Sequence, residues 1–313
     1  YWNPLPKEMA HFWKENYKVI CAKNNTINKP SGKSIQYQTK VNKKLRACMV
    51  AYTFYDTDNR VKRYAETLIK NGFEVDVIAL KKENQGSCAS INGVNVYRIQ
   101  KRVVNEKGKL SYLKRVLYFL IWSSVFLARK SVTRPYDIIH VHNVPDFEVF
   151  AALIPKLTGS RIILDIHDIL PEFYAGKFNA GNKSFVYKLL LLIEKLSTAF
   201  ADHVIISNHL WEKTLVSRSV KKDKCTTILN YPDLSIFYRR KRTKINDKFI
   251  IIYPGTINRH QGLDIAVKAF AYIEDDVPEA EFHIYGDGPM KEAIQNLIAD
   301  NGLQGRVLLK GPL

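Results

Sequence analysis

Residues 137–167 read DIIHVHNVPDFEVFAALIPKLTGSRIILDIH. Two short runs rich in isoleucine and valine, Asp137–His142 and Arg161–His167, flank a segment of helical period that ends at Thr158-Gly159. Neighbouring parallel strands need a crossover connection between them, and a helix is the usual one. The stretch therefore predicts an α/β fold in which helices cover a parallel sheet.

The same alternation begins at Leu45 and restarts after a basic, turn-rich stretch near residue 240. Further strands are predicted at Arg46–Tyr52, Glu74–Leu80, Val94–Gln100, His203–Ser207, Thr226–Leu229, Phe249–Tyr253, Glu281–Tyr285 and Arg306–Lys310. Helices are predicted at Asn59–Lys70, Leu110–Lys130, Phe147–Leu157, Ser184–Phe200, His209–Ser217, Leu263–Tyr272 and Met290–Asp300.

Four parts follow from this pattern. Residues 1–44 form a basic N-terminal segment to which we assign no function, and residues 45–237 form a first Rossmann-like domain. Residues 238–247 form a basic linker, and residues 248–313 begin a second Rossmann-like domain that is incomplete at Leu313. Because the chain opens at Tyr1 without Met, we expect both ends to be cut from a longer reading frame.

The charge is uneven along the chain, which has 48 Lys and Arg against 30 Asp and Glu, a net charge of +18. Residues 98–134 hold ten basic side chains against the single acidic Glu106, and residues 1–45 and 238–248 are also basic. Nearly neutral domains with basic segments attached fit a protein on an anionic membrane surface better than a nucleic-acid reader.

The four widely spaced cysteines suggest neither a zinc site nor disulfides, which predicts a cytoplasmic protein.

The predicted helix over Leu110–Lys130 contains an apolar run from Val116 to Ala128, flanked by basic residues. The run is shorter than the roughly 20 residues of a membrane-spanning helix, so we predict no span. Two interpretations stay open. The helix is either buried against the sheet or lies at a membrane interface, with Trp122 and its tyrosines near the headgroups.

In doubly wound sheets, ligands bind beyond the carboxyl ends of the strands. At one such end His167, Asp168 and Glu172 form a candidate acid/base patch, although His167 could instead be a strand-end histidine bonded to backbone. His140 and His142 flank Val141, so in a strand we expect their side chains to point to the same side. His140 is expected to be buried, and His142 is a candidate ligand contact nearer the mouth of the site. Asp56-Thr57-Asp58 resembles a metal motif, but a helix follows, and we favour an N-cap.

Three segments carry a resemblance to a family. Leu164–Glu172 (LDIHDILPE), Tyr253–Asp264 (YPGTINRHQGLD) and Phe282–Pro289 (FHIYGDGP) together resemble family 4 glycosyltransferases of the GT-B fold. The resemblance implies two Rossmann-like domains facing across a cleft, with a nucleotide-diphosphate sugar held by the second domain and the acceptor by the first. It also implies transfer with retention, without a metal or cofactor. His167 matches the family's histidine beside the acceptor and the reacting sugar, and Asp168 is the second candidate catalytic residue. The candidate acceptor-side residues are His142, Glu172 and Asn59.

The donor turn departs from the family's pattern. Gly255 and Gly262 match the glycine turn at the diphosphate, but Thr256 and Gln261 stand where many members have Arg and Lys. Arg259 is the candidate substitute for the missing charge. Gly286 and Gly288 either contact the donor or simply form a tight turn. The family's later E-x7-E segment would lie beyond Leu313, so we expect this fragment alone to be inactive.

The leading hypothesis is a peripheral membrane glycosyltransferase on the cytoplasmic face. It would move a hexose from a nucleotide sugar to a lipid-linked or polysaccharide-precursor acceptor, with residues 98–134 on an anionic membrane and no nucleic-acid partner. One alternative is a nucleotide-sugar epimerase or hydrolase of the same fold. Another is a non-catalytic scaffold that binds anionic membranes.

Overall fold

The computed structural model describes residues 44–102, 109–143, 145–178, 184–231, 237–238 and 248–312. The chain divides into two compact units, Tyr1–Pro232 and Asp233–Leu313. The basic segments at residues 1–43 and 239–247 lie outside the described residues, and the predicted domain boundaries stay predictions.

Unit 1 is built on an eight-stranded sheet with the order β3-β4-β2-β1-β5-β6-β7-β8. Its strands are β1 (Arg46–Ala51), β2 (Glu74–Lys81), β3 (Cys88–Ile91), β4 (Val94–Lys101), β5 (Ile138–His142), β6 (Arg161–Ile166), β7 (His203–Ile206) and β8 (Cys225–Thr227). All neighbours are parallel except β3, which pairs antiparallel with β4. The strands that follow β1 in sequence, up to β4, lie on one side of it, and β5 to β8 lie on the other side. In doubly wound folds, ligands bind at the point where the strand order reverses in this way, here between β1 and β5.

Helices cover both faces of this sheet. They are α1 (Asn59–Lys70), α2 (Lys109–Thr133), α3 (Leu153–Leu157), α4 (Leu170–Phe178), α5 (Phe185–Phe200) and α6 (His209–Arg218), with 3-10 helices at Asp146–Ala152 and Lys222–Lys224. One buried core, which includes Val61 and Leu68, lies under α1. The other core, which includes Phe119 of α2, lies on the opposite face. Asp58 caps α1, because its carboxylate accepts hydrogen bonds from the backbone N–H groups of Arg60 and Val61. The predicted N-cap is therefore confirmed.

Several predicted elements differ from the structure. The sequence did not predict strand β3, because its exposed side chains show no clear alternation of apolar and polar residues. Asn92-Gly93, which follows it, is nonetheless a turn signal typical of a hairpin, and both residues have positive φ. The helix Leu170–Phe178 was also missed. The helix predicted over Phe147–Leu157 is split into a 3-10 and a short α-helix, because Pro155 has no N–H to donate to residue 151.

Helix α2 is longer than predicted, with 25 residues. Its Ser111–Thr133 portion is long and apolar enough, by length and composition alone, to cross a membrane. Length therefore does not exclude a span, contrary to what the shorter run from Val116 to Ala128 predicted. Its inner side chains Val116, Phe119 and Leu127 are nonetheless at most 1% exposed and belong to the sheet core, so the buried interpretation holds for one side of the helix.

Unit 2 has a three-stranded parallel sheet with the order β11-β10-β9. Its elements are β9 (Phe249–Pro254), a 3-10 turn at Arg259–Gln261, α7 (Leu263–Ile273), β10 (Ala280–Tyr285), α8 (Lys291–Asp300) and β11 (Val307–Leu309). Its core joins Val267 and Phe270 of α7 to Phe282, Ile284 and Ile294. Both units therefore have the Rossmann-like alternation that the sequence predicts.

Glu148, in the 3-10 helix after β5, carries a buried carboxyl group. The residue is 1% exposed, and neither side-chain oxygen has a hydrogen-bond partner among the described residues. Burial raises the pKa of Glu148 to about 9, because the charged form would lose its hydration without compensation.

We expect the stability of unit 1 to fall between pH 7.5 and 8.5. In this window the folded protein keeps the Glu148 proton, whereas the unfolded chain, with an ordinary Glu pKa, has already released it. Proton uptake on folding costs up to about 1.4 kcal/mol per pH unit. Glu148→Gln should flatten this dependence in denaturant unfolding, whereas Glu279→Gln, at an exposed position, should not. An unchanged slope in Glu148→Gln would contradict the assignment.

Candidate active site

The candidate site in unit 1 lies at the carboxyl ends of β5 and β6. These strands are neighbours, and their register pairs His142 with Asp165. Side chains two residues apart on a strand point to the same face, so His140 and His142 project together, as do Asp165 and His167. The two strands thereby bring three imidazoles and one carboxylate to the α1 face of the sheet.

Asp165 is the centre of this group. Its Oδ2 lies 3.4 Å from His140 Nε2, 3.4 Å from His142 Nδ1 and 3.6 Å from His167 Nε2. His142 Nδ1 and His167 Nε2 are 3.3 Å apart, and the rings of His140 and His142 stack with centroids 4.2 Å apart. The same-side prediction for His140 and His142 is confirmed, and both side chains are almost fully buried.

Helix α1 supplies the compensating charge. Arg60 Nη2 lies 2.5 Å from Asp165 Oδ1, and both side chains are buried. The ring of Tyr64, one turn further along α1, stacks over His140 and His142 at centroid distances of 5.4 Å and 5.8 Å. Tyr64 therefore closes the cluster from the helix side.

The protonation states follow from these contacts. Burial opposes ionisation of Asp165, but Arg60 and His167 outweigh it and hold the pKa of that carboxyl well below its usual range. Burial lowers the pKa of His140, and burial with the neighbouring His140 lowers the pKa of His142 further. At neutral pH the core of the cluster is thus a carboxylate–guanidinium pair with two neutral imidazoles.

His167 is the member of the cluster that reaches solvent, with a side chain 23% exposed. Its backbone N–H donates to Asn143 Oδ1 at 2.9 Å, and its carbonyl accepts from Ser207 Oγ at 2.7 Å. Its Nε2 faces Asp165, whereas the described residues offer Nδ1 no hydrogen bond. The backbone bonds fix the strand end, and the ring can exchange a proton with a ligand at the mouth of the site.

The other predicted acceptor-side residues have different surroundings. The carbonyl of Asp168 accepts from Asn143 Nδ2 at 3.0 Å, and its half-buried side chain follows His167 directly. Asn59 is exposed at the start of α1. The carboxylate of Glu172 is held by the guanidinium of Arg218, with Nη2 to Oε2 at 2.8 Å, so its pKa is lowered by Arg218 even though burial acts to raise it. Their roles at the site stay predictions.

Sequence reasoning missed Arg60, Tyr64 and Asp165. The available signal was Asp165 itself, a charge inside the otherwise apolar run from Ile162 to Ile166. A charge at a core position must be paired, so such a residue marks either a site or an ion pair. Its partner Arg60 stands 105 residues earlier, and no sequence spacing indicates that contact.

His140, His142 and Asp165 could also hold a metal ion, since their ligand atoms lie within 4.8 Å of one another. Arg60 already provides the positive charge that balances Asp165. A cation bound there would face the guanidinium at short range, which disfavours it.

In unit 2 the candidate donor residues lie in two turns that touch each other. Gly255 N–H donates to the carbonyl of Tyr285, and Ile257 N–H donates to that of Asp287. A Cβ on Gly286 would lie 1.8 Å from the Gly255 carbonyl oxygen, and one on Gly288 would lie 2.4 Å from that of Ile257. Close backbone packing therefore accounts for both Gly286 and Gly288.

The turn after β9 ends at Gly262, whose φ of +68° is left-handed and favours glycine. Helix α7 begins at the next residue, so its unpaired N–H groups and dipole favour an anion there. Thr256, Arg259 and Gln261 are all exposed on this turn. Arg259 is accordingly accessible to a ligand at the turn.

Comparison with known sequences identifies both units. The Glycosyl transferase 4-like domain matches residues 57–230, and the Glycosyl transferases group 1 domain matches residues 235–313. An uncharacterized glycosyltransferase of Methanocaldococcus jannaschii is 26% identical over 80% of this chain and 64% of its own length. The GPI3 subunit of phosphatidylinositol N-acetylglucosaminyltransferase from Saccharomyces cerevisiae is 24% identical over 79% of this chain and 53% of its own length. The chain therefore spans roughly half to two thirds of these relatives.

Solved structures agree on the fold. Sucrose-phosphate synthase from Thermosynechococcus elongatus superposes with a TM-score of 0.67 at 16% identity, covering 86% of this chain and 71% of that one. The HepE protein of Anabaena, solved with UDP and glucose, superposes with a TM-score of 0.58 at 15% identity, covering 85% of this chain and 69% of that one.

We expect Asp165→Asn to lower the free energy of unfolding by about 3 kcal/mol, because it leaves the Arg60 guanidinium buried without a counter-charge. The double variant Arg60→Met/Asp165→Asn should recover part of this loss in denaturant unfolding. The exposed pair Lys101 and Glu83, treated in the same way, should show no measurable coupling. Wild-type stability in Asp165→Asn would rule out the ion pair as a structural constraint.

Gly286→Ala should destabilise the second unit by about 3 kcal/mol, because the new methyl group cannot fit against the Gly255 carbonyl. Thermal unfolding followed by circular dichroism checks this. Gly86→Ala, whose added Cβ meets nothing closer than 3.5 Å, is the control. Normal stability of Gly286→Ala would remove the packing explanation and favour a donor contact instead.

Proposed function

The chain belongs to the family 4-like glycosyltransferases of the GT-B fold, and from this membership we propose that it transfers a sugar from a nucleotide-diphosphate sugar. The acceptor is a lipid-linked saccharide or a polysaccharide precursor. The sugar is a hexose, and its anomeric configuration is retained, as the family resemblance implies.

The observation that carries this proposal is the position of His167. It stands at the solvent-facing edge of a buried charged cluster, at the carboxyl end of a strand in the first unit. A ring held by Asp165 and His142 on one side can present its other nitrogen to an acceptor hydroxyl or to the reacting sugar. Asp168, the next residue in the chain, is the acidic group that we place beside His167 in the proposed reaction.

The donor half of the proposal rests on the turn after β9. Gly255 and Gly262 let the backbone approach a diphosphate, and the N-terminus of α7 favours its charge. Arg259 is exposed on the same turn and takes the place of the family's cations, while Thr256 and Gln261 offer hydrogen bonds. Gly286 and Gly288 support the turn through packing.

No metal or other cofactor is part of the proposed reaction. In unit 1 the group of potential ligands around Asp165 is already paired with Arg60. Stabilisation of the leaving diphosphate would come instead from backbone N–H groups and Arg259 in unit 2.

A lipid-linked acceptor fits two features. The yeast relative is named as a phosphatidylinositol N-acetylglucosaminyltransferase subunit, a protein that acts on a lipid. Helix α2, within the basic residues 98–134, exposes Leu113, Tyr118 and Trp122 to solvent. We infer that this segment contacts an anionic membrane surface and that the protein is peripheral on the cytoplasmic face.

His167→Ala in the full-length protein should lower the rate of sugar transfer by about 10²–10⁴-fold, because general acid–base or acceptor-positioning contributions of a histidine are of this size. Affinity for the nucleotide sugar should change little. The measurements are product formation from a panel of nucleotide sugars and donor binding by calorimetry. His283→Gln, in the second unit's central strand, is the matched control and should retain activity.

Wild-type activity in His167→Ala would show that the catalytic assignment is wrong. Product analysis separates the rival functions. An epimerised or freed sugar formed without acceptor would indicate an epimerase or hydrolase. Absence of transfer from any nucleotide sugar, together with binding to anionic vesicles, would indicate a non-catalytic scaffold.

A further inference from the structure

Three helices lie side by side on the face of unit 1 opposite the candidate site. Helix α2 packs against the 3-10 helix Asp146–Ala152 and against α3, and α5 packs against the same 3-10 helix. The rings of Phe150 and Phe200 meet edge to face at 5.2 Å, and Lys156 Nζ of α3 donates to the Phe200 carbonyl at 2.7 Å. The three helices are thus fixed to one another and to the sheet.

The outer side of this layer is apolar on every helix. On α5 the residues Phe185, Leu189, Leu192 and Leu196 recur at helical spacing, and all are between 43% and 79% exposed. Leu153 and Leu157 of α3 are 50% and 75% exposed. On α2 the exposed apolar and aromatic residues include Leu113, Leu117, Tyr118, Ile121 and Trp122.

Such a concentration differs from the scattered apolar residues of an ordinary surface. Large exposed apolar patches mark surfaces that bind a partner or a membrane. We call the outer side of α2, α3 and α5 the three-helix surface.

The helices of the three-helix surface are basic. They contain Lys114, Arg115, Arg129, Lys130, Lys188 and Lys195, together with Lys156, whose Nζ is paired with Asp202 Oδ1 at 3.0 Å. The same helices contain one carboxylate, Glu194, which is 1% exposed and paired with Arg218 at 2.6 Å. Lysine is depleted in the centres of protein–protein interfaces, whereas apolar and aromatic side chains among Lys and Arg suit an anionic lipid headgroup layer.

The packing of α2 determines how it can meet a membrane. Val116, Phe119 and Leu127 are buried in the same core as Ile139 and Leu164 of the central strands. Although the helix is long enough to span, a spanning orientation would pull these side chains out of the sheet core. Only its outer side is free for lipid, so α2 lies along the membrane plane.

We propose that α2, α3 and α5 form one docking surface that rests flat on an anionic bilayer, with the apolar side chains at the acyl boundary and the Lys and Arg side chains at lipid phosphates. The proposal rests on the membrane partner inferred above and extends it from residues 98–134 to α3 and α5. The candidate site remains on the other face of the sheet.

The test leaves α2 intact. The variant Leu189→Glu/Leu192→Glu places two carboxylates on α5 at exposed positions, so folding should be unaffected, which thermal unfolding checks. Binding is measured by flotation with vesicles of phosphatidylcholine alone and with vesicles of equal parts phosphatidylcholine and phosphatidylserine. Wild-type protein should float with the anionic vesicles, and the variant should bind them roughly tenfold or more weakly.

The matched control is Ile265→Glu/Tyr272→Glu, which adds two carboxylates at exposed apolar positions of α7 in unit 2. It should bind anionic vesicles like wild type. Undiminished binding by a folded α5 variant would overturn the three-helix surface and leave α2 as the membrane contact. Equal binding of wild type to both vesicle types would overturn the role of charge.

Failure of wild type to bind either vesicle would overturn both membrane claims. Sugar transfer to a water-soluble acceptor analogue would then still stand as a separate test of the transferase proposal. A wild-type dimer in solution that the α5 variant abolishes, without vesicle binding, would instead assign the surface to a second copy of the chain.

Discussion

The carboxylate of Asp165, buried inside a parallel sheet, requires a cation, and Arg60 provides it from α1. This ion pair ties helix α1 to Asp165 of β6, which lies 105 residues after Arg60 in the chain. The ionised Asp165 also gathers His140, His142 and His167 around one oxygen atom, while burial lowers the pKa of His140 and His142 and keeps both neutral. Breaking a buried pair leaves an uncompensated charge, so the helix position and the site geometry depend on each other.

A second constraint acts in unit 2, where backbone approaches backbone. The turns after β9 and β10 are joined by main-chain hydrogen bonds, and glycine is required at Gly286 because any side chain would collide with Gly255. The resemblance to donor-binding turns is therefore explained in part by packing. In the proposed function, the diphosphate binds instead at the turn that ends at Gly262 and at the N-terminus of the helix that follows it.

Much of the fold was predictable because hydrophobic period and turn residues are local signals. The parallel strands, the cap at Asp58 and the restart of the alternation near Phe249 follow from a few neighbouring residues. The hairpin strand β3 was missed although Asn92-Gly93 signals it, and Pro155 signals the split helix. The site was only partly predictable, because the pairing of Arg60 with Asp165, and of Arg218 with Glu172, joins side chains distant in sequence. The exposure of the outer side of α5 could not be predicted either, because leucines at helical spacing are typical of the side of a helix that faces the core.

The most direct measurement is an experimental structure of the full-length protein with a nucleotide sugar and an acceptor analogue. The account predicts that a ring nitrogen of His167 lies about 2.6–3.2 Å from an acceptor hydroxyl or the transferred sugar, with the diphosphate at the turn that ends at Gly262. An acceptor bound away from the carboxyl ends of β5 and β6, with His167 contacting only protein atoms, would contradict it.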